Sequence, residues 1–450
     1  KISEIIELDN DSILETFNKK TLLKKNISNE EILQVKKLKL KNTEIETRHS
    51  RHYPLGDQIS TLVGFYGKDG AQEGLEKSYD NVLAGLPGKQ KYFKNAKQEV
   101  ISKPIEVDKI IQGSDINLTI DATIQFFAYK HLVEAIKTNN AKSGTVIILD
   151  NKEGEILAMA SYPSYNPNHP QREIQKNRAL IDAYELGSVL KPIVLSKALD
   201  NKVLEVNDYI NIPRRLSLND KVIVDSKNYE KLTPKEIIAV SSQIGASKIA
   251  LELGYEELKK NYYNFGFTKP ISINFPSSAF GYMNIKESVN DKELASLGYG
   301  YGITISPFQI ASAYSVFANE GILKDFKLLK NQEVTSRQII SSDTANHILD
   351  ALRMVVKDGT GKAANINGFS EGGKTGTVHQ IKRGSGYAED SYRASFIGIA
   401  PLTTKSLTIF VSIDEPGLNS YSGGTVAAPV FAKIAAVSYT HLTLPTKQDV

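Results

Sequence analysis

Ser188 and Lys191 stand three residues apart in Gly187-Ser188-Val189-Leu190-Lys191-Pro192, the only Ser-x-x-Lys among the 450 residues. On a helix that spacing puts a hydroxyl and an amine on one face, within reach of each other. Far downstream, Gly372-Gly373-Lys374-Thr375-Gly376-Thr377 holds the only Lys-Thr-Gly. A serine beside an amine, with a glycine-flanked cation and hydroxyls able to hold a carboxylate, is equipment for acyl transfer through a covalent serine intermediate. Taken alone, a Ser-x-x-Lys is more often a solvated pair on a helix surface. Here apolar Val189, Leu190, Ile193, Val194 and Leu195 predict a buried element, Gly187 frees the approach to its start, and Pro192 sits in the first turns, where proline is tolerated.

Burial disfavours an ammonium and so does a second cation, so Lys191 near Lys374 is expected to be neutral enough to take the Ser188 proton. This makes a base without histidine. The seven histidines are scattered, and none sits in a Gly-x-Ser-x-Gly elbow, which argues against a Ser-His-Asp hydrolase. His379, three residues after Gly376, is expected to be a strand residue facing solvent. The small residues around Lys374 would let a substrate backbone lie against a strand edge. Gly368, Gly373, Lys374 and Thr375 also satisfy a phosphate-loop pattern literally. Context opposes that reading, because Gly376-Thr377-Val378 is a poor helix start and residues 363–367 are no buried strand.

The elements that would carry these residues are partly legible. Residues 1 to about 50 form a charged segment, with a helix start at Ser28-Asn29-Glu30-Glu31. Turn-rich pieces extend from there to about residue 111. At Gln112-Gly113-Ser114-Asp115 the texture changes: Ile116 to Ile120 alternates as a strand, and Asp121 can cap a helix running through His131 and Ile136. The domain boundary is placed there. Residues 144–149 and 155–160 are apolar runs joined by Asp150-Asn151-Lys152-Glu153-Gly154, a hairpin signal, and the last strands are expected at 395–399 and 407–413. A helix, a hairpin, a helical middle and late strands predict an α/β sandwich whose sheet is built from both ends of the domain. Residues 428–434 read as a terminal helix, after which the stretch from Ser438 loses helical periodicity; 438–450 is expected to be a non-native tail.

At this length two domains are expected. Apolar content of 41% supports a sizeable core, and 55 basic against 51 acidic side chains require neither nucleic acid nor an anionic surface as partner. The absence of cysteine excludes disulfides and thiolate metal sites. No apolar run approaches the roughly 18 residues of a membrane span, and there is no signal peptide. With Lys1 rather than Met at the start, the expectation is a fragment lacking an N-terminal anchor.

With these residues in hand, the chain resembles a class B penicillin-binding protein, a D,D-transpeptidase of bacterial cell-wall synthesis, over roughly residues 48–436. The resemblance is carried in order by Arg51-His52-Tyr53-Pro54-Leu55-Gly56, residues 73–80, residues 162–168, Asn177-Arg178-Ala179, Gly298-Tyr299-Gly300 and residues 423–429, besides the two motifs. The run from Asn177 to Asp182, with Glu185 ahead of the serine motif, is most similar to the division-specific, septal branch.

The resemblance implies a transpeptidase fold for residues 113–437: an antiparallel sheet sandwiched by helices, with an all-helical subdomain. Residues 1–112 would be a smaller α+β pedestal of dimerisation type. It implies Ser188 as nucleophile, Lys191 as its base, a Ser-x-Asn element that relays protons, and the Lys-Thr-Gly strand. The middle motif departs from the family. Literal Ser-x-Asn occurs at Ser217-Leu218-Asn219 and Ser226-Lys227-Asn228, without a helix to position either. The family's context matches Thr233 through Val240 followed by Ser241-Ser242-Gln243-Ile244-Gly245, so Ser241 is assigned as the relay hydroxyl, with Gln243 in the asparagine position. Leu186, Val378 and His379 are milder departures. Lys374, Thr375, Gly376 and Thr377 would bind the substrate carboxylate, and the backbone N–H groups of Ser188 and Thr377 would form the oxyanion hole.

The implied substrate is the D-Ala-D-Ala stem peptide, with β-lactams as inhibitors and neither metal nor cofactor. The implied setting is septal synthesis at the inner membrane, the catalytic domain periplasmic, alongside a glycan-polymerising SEDS protein and other divisome partners. A catalytically impaired divisome scaffold and a D,D-carboxypeptidase or β-lactam hydrolase remain as alternatives of the same fold.

Overall fold

The computed structural model describes residues 2–7, 22–24, 27–40, 43–45, 51–67, 69–97, 100–169, 175–382, 386–403, 405–417 and 420–443. Contacts divide the chain into two compact units, 1–52 and 53–450. The expected boundary near residue 112 falls inside the second unit. In the first, the helix Asn29–Lys37 starts where the sequence predicts. Ser28 Oγ accepts from Glu31 N at 3.2 Å, while Glu31 Oε2 accepts from Ser28 N at 2.6 Å, a reciprocal cap.

In the second unit the elements that frame the site are, in chain order, α1 (Ala122–Thr138), β1 (Ser143–Asp150), β2 (Glu155–Tyr162), α2 (Lys191–Asp200), α3 (Pro234–Val240), α4 (Gln243–Leu253), α5 (Pro307–Ala318), α6 (Ser342–Lys357), β3 (Gly372–Lys382), β4 (Gly386–Ala400), β5 (Leu407–Asp414) and α7 (Ala428–Thr443). Asp121 caps α1 as its sequence predicts, accepting from the N–H groups of Thr123 and Ile124. The five strands form one antiparallel sheet in the order β3-β4-β5-β1-β2, so both ends of the domain contribute to it.

Alternation along each strand sends side chains to two cores. Ile147, Leu149, Ile397 and Phe410 face the helical middle of the chain, including α2, α4, α5 and α6. Val146, Ile148, Phe396 and Ile409 face α1 and α7. β1 and β5 are therefore buried on both sides and read as continuous apolar runs rather than alternating ones. Each fully buried Ile, Leu or Phe contributes about 1.5–3 kcal/mol, which holds the sheet rigidly between the layers. β3 lies at one end of the order, so its outer edge has no strand neighbour in the sheet.

Three local expectations are corrected. Residues 116–120 do not form a strand: Leu118 makes one isolated bridge to Leu329, and Thr119 N donates to Leu328 O, because the segment crosses the sheet end instead of joining it. The serine motif does not begin in an α-helix, since Gly187–Leu190 is a 3-10 turn leading into α2. The last helix runs on to Thr443, because tertiary contacts supply what periodicity lacks: Ser438 is buried and Tyr439 packs edge-on to Phe369 at 5.0 Å. Residues 444–450 lie outside the described residues.

Candidate active site

The 3-10 turn does more than start a helix. With three residues per turn, positions i and i+3 eclipse, so Ser188 and Lys191 lie one above the other. The turn is gripped from several sides. Tyr314 OH on the buried helix α5 donates to Val189 O at 2.6 Å, and Gly187 N donates to Gly300 O at 3.1 Å. Gly187 has φ +57°, and a Cβ there would meet Val378 at 2.5 Å, so the position needs glycine twice over. Ser188 is left half-exposed between buried Gly187 and Val189.

β3 lies directly alongside. A Cβ on Gly376 would stand 2.7 Å from Val189 Cγ2 and 2.9 Å from Leu186 O, so glycine is what lets the strand touch the serine turn. The phosphate-loop reading fails here, because Gly376, Thr377 and the residues after them continue the strand instead of opening a helix. Lys374 is fully buried and Thr375 nearly so. Thr375 Oγ1 lies 2.8 Å from Thr360 Oγ1, and Thr377 Oγ1 accepts from Gly423 N at 2.9 Å, which fixes both hydroxyls.

The third component is the junction between α3 and α4. Thr233 and Glu236 form a capping box that starts α3. The helix ends at Ser241, in the left-handed conformation with φ 61° and ψ 40°. For a serine that conformation costs on the order of 1 kcal/mol, and such strain concentrates at functional sites. Its effect is to present two groups inward. Lys191 Nζ donates to Ser241 O at 2.6 Å and to Ser241 Oγ at 3.1 Å, while Lys374 Nζ donates to the same Oγ at 3.0 Å. One hydroxyl thus bridges two buried amines.

Burial pushes Lys191 down to about 7, against a smaller opposing pull from Asp225. Burial, reinforced by the charge of Lys191, holds Lys374 well below the usual ammonium range. A neutral amine at Lys191 carries a lone pair and can accept a proton. Lys191, Ser241 and Lys374 therefore form one connected cluster, with Ser188 three residues before Lys191 on the same turn and no histidine among them.

The geometry brings together the two motifs and Ser241 from the sequence. Gln243 enters differently: the residue is exposed at the first position of α4, and its contribution is its backbone N–H, which donates to Asp225 Oδ1 at 2.6 Å. The literal Ser-x-Asn alternatives do not reach the lysines. Ser217 to Asn219 belong to a small hairpin, and Ser226 to Asn228 form an exposed loop. His379 is a strand residue, as expected, but only partly exposed: its Nδ1 lies 2.9 Å from Ala388 O and its ring packs 4.5 Å from Tyr392, because the β3–β4 register pairs the two.

Asp225 carries no signal readable in one sequence, since its side chain is hydrogen-bonded to residues 17–19 positions away. Glu185, singled out ahead of the serine motif, accepts from Gly302 N at 2.7 Å and from Tyr387 OH at 2.8 Å, tying the segment before Ser188 to two others. Past Thr377 the strand enters a cleft of about 650 Å³ lined by Tyr184, Glu185, Val378, His379, Arg393 and Asp414. Among the described residues no cluster of His, Asp and Glu could hold a metal ion.

A half-exposed serine three residues from a buried lysine, packed against the edge strand of an antiparallel sheet between helical layers, fits the class of lysine-dependent serine acyltransferases. Residues 144–436 match the penicillin binding protein transpeptidase domain, and residues 1–118 match the penicillin-binding protein dimerisation domain. The chain belongs to the class B penicillin-binding proteins. It is 35% identical over 437 residues to the probable peptidoglycan D,D-transpeptidase PbpC of Pseudomonas aeruginosa, covering 95% of this chain and 77% of that protein. It is 32% identical over 407 residues to the peptidoglycan D,D-transpeptidase FtsI of Escherichia coli, covering 89% of this chain and 68% of that protein. Penicillin binding protein 3 of Mycobacterium tuberculosis, solved in complex with aztreonam, has a TM-score of 0.76 at 26% identity, over 88% of this chain and 90% of that one.

Proposed function

We propose that the chain is a peptidoglycan D,D-transpeptidase that cross-links stem peptides through an acyl-enzyme on Ser188 and is inhibited by β-lactams. The observation that carries this reading is the convergence of Lys191, three residues after Ser188, and Lys374 on the Ser241 hydroxyl. Membership of the family and the D,D-transpeptidase relatives support the substrate.

Lys191, pushed down to about 7 and so neutral in a large fraction of molecules near pH 7, takes the Ser188 proton as Oγ attacks the carbonyl between the two terminal D-alanines. The backbone N–H groups of Ser188 and Thr377 hold the oxyanion, a contribution of a few kcal/mol per donor (about 3). The C–N bond then breaks, and the departing amine of D-alanine takes up a proton passed back through Lys191 and Ser241. An amine of a second stem attacks the ester, gives its proton to Lys191, and Ser188 is regenerated. The free edge of β3 suits an extended peptide, which would lie along it as an added strand. Lys374, Thr375 and Thr377 would hold the terminal carboxylate, with Gly376 giving the room. Such a substrate places the catalytic domain outside the cytoplasmic membrane; no helix among the described residues is long and apolar enough to cross one. The likeness to FtsI supports a role in division, with residues 1–112 as a pedestal for a SEDS polymerase and other divisome proteins, residues 113–437 as the catalytic domain and 438–450 as a non-native extension whose first residues continue α7.

Intact-protein mass spectrometry after incubation with benzylpenicillin tests this reading. A stoichiometric adduct that disappears in Ser188→Ala is the expected result. A folded protein that takes up no penicillin overturns it in favour of a non-catalytic scaffold of the same fold, and an adduct that hydrolyses rapidly favours a hydrolase.

A further inference from the structure

The Ser241 junction is held from two sides. Within α3, Ser241 N donates to Ile238 O at 3.3 Å and Ser242 N to Ile237 O at 3.0 Å, with a serine where such a helix end usually has glycine or asparagine. Asp225, in the loop after Ile223, ties down the residues that follow. Its Oδ2 accepts from Ser242 Oγ at 2.5 Å, and its Oδ1 accepts from Gln243 N at 2.6 Å and Ile244 N at 3.2 Å. Ser242 Oγ in turn accepts from Gly245 N at 2.8 Å, closing the first turn of α4. One half-buried carboxylate thus binds the three residues directly after Ser241.

Its charge matters as well. Two fully buried amines meet at one hydroxyl, and a carboxylate nearby offsets part of the cost of a proton on Lys191. The ionisable groups acting on this cluster are Lys191 of α2, Lys374 of β3, and Asp225 with neighbouring Tyr229 in the loop. Among them Asp225 is the group whose charge favours the protonated form of Lys191.

We propose that Asp225 is a positioning residue of the acylation machinery, holding Ser241 in reach of both lysines through Ser242, Gln243 and Ile244. Its charge also favours protonated Lys191 against the larger effect of burial, so removing it is expected to move the pH at which Lys191 becomes a base. Asp225 acts through backbone atoms at position 243, so the junction keeps its place with Gln243 as it would with a shorter amide. The inference rests on the acyl-transfer reading above.

The test is the rate of Ser188 acylation by benzylpenicillin, measured on both sides of pH 7 in the full chain and in Asp225→Asn. The expected result is a plateau rate lower by about 10- to 100-fold, the order seen for roughly 1 Å displacements in a preorganised site, together with an acid limb moved to lower pH. The limb moves because losing the carboxylate removes the interaction that favours protonated Lys191. Ser242→Ala, which loosens the same contact but keeps the charge, is expected to slow acylation with the limb unmoved. A merely structural cap would lower the rate in both variants without moving either limb, so a folded Asp225→Asn protein with an unmoved limb overturns the proposal. If Asp225→Asn shows no thermal unfolding transition, Asp225→Glu takes its place: slower acylation on the wild-type limb supports the proposal, and wild-type speed overturns it. Wild-type protein that is not acylated overturns the acyl-transfer reading and this inference with it. Acylated wild type with an indistinguishable Asp225→Asn overturns the inference alone.

Discussion

At the scale of single residues, the chemistry turns on which amine is neutral. Lys191 sits at about 7 because burial outweighs the pull of Asp225. A base must be unprotonated to accept the serine proton, so acylation is expected to rise with pH through about 7 and level off above it. Stopped-flow acylation by a chromogenic cephalosporin checks this, and a rate that falls as pH rises through 7 would exclude Lys191 as the base. The same residue links to folding in a defined direction. Its folded value lies below the usual lysine value of 10.5, so between about 7 and 10.5 the unfolded chain binds more protons and stability rises with pH. Gln243 shows how a departure from a family pattern can be harmless in geometry, since the junction uses its N–H and leaves the side chain at the surface.

At the scale of elements, the close approach of β3 to the serine turn is the critical contact. Gly376→Ala would place a methyl 2.7 Å from Val189 Cγ2 and 2.9 Å from Leu186 O. The backbone oxygen cannot yield as a flexible side chain would, so strand and turn must separate. Overpacking of this kind costs about 1–3 kcal/mol of stability, and a shift near 1 Å is expected to slow acylation by about 100-fold. Denaturant unfolding and the benzylpenicillin rate measure the two effects. A variant that acylates at wild-type speed would mean that the turn and strand are not coupled as the packing indicates.

At the scale of the whole molecule, the sheet is a rigid frame because both faces are covered. Phe431 of α7 is fully buried, with its ring 4.9 Å from that of Phe396, and a Cβ on Gly398 would meet it at 2.6 Å. Phe431→Ala is expected to lower stability by about 3–5 kcal/mol. Urea unfolding checks this, with a change below about 1 kcal/mol counting against a load on that helix. Because α7 covers the face away from Ser188, the folded fraction should keep its acylation rate.

The local chemistry was legible in the chain alone. The three-residue spacing of Ser188 and Lys191, the apolar residues that bury them, the glycines around Lys374, the cap at Asp121 and the hairpin at residues 150–154 all depend on neighbours within a few positions, and short-range sterics and periodicity make such features readable. Relations across longer separations were set by the folded arrangement. Ser241 meets Lys191 and Lys374 across 50 and 133 positions; the preceding helix pattern and the family context single it out, while its contacts with the two lysines follow from the fold. Asp225 is recognisable only once its loop is folded against the start of α4. The same holds for His379, drawn against Tyr392 by strand register, and for residues 438–443, kept helical by packing that their own pattern does not announce. Periodicity reports the face a residue belongs to, whereas the partner across the fold is set by chain topology, and the contacts that join Ser241 to the two lysines are of that kind.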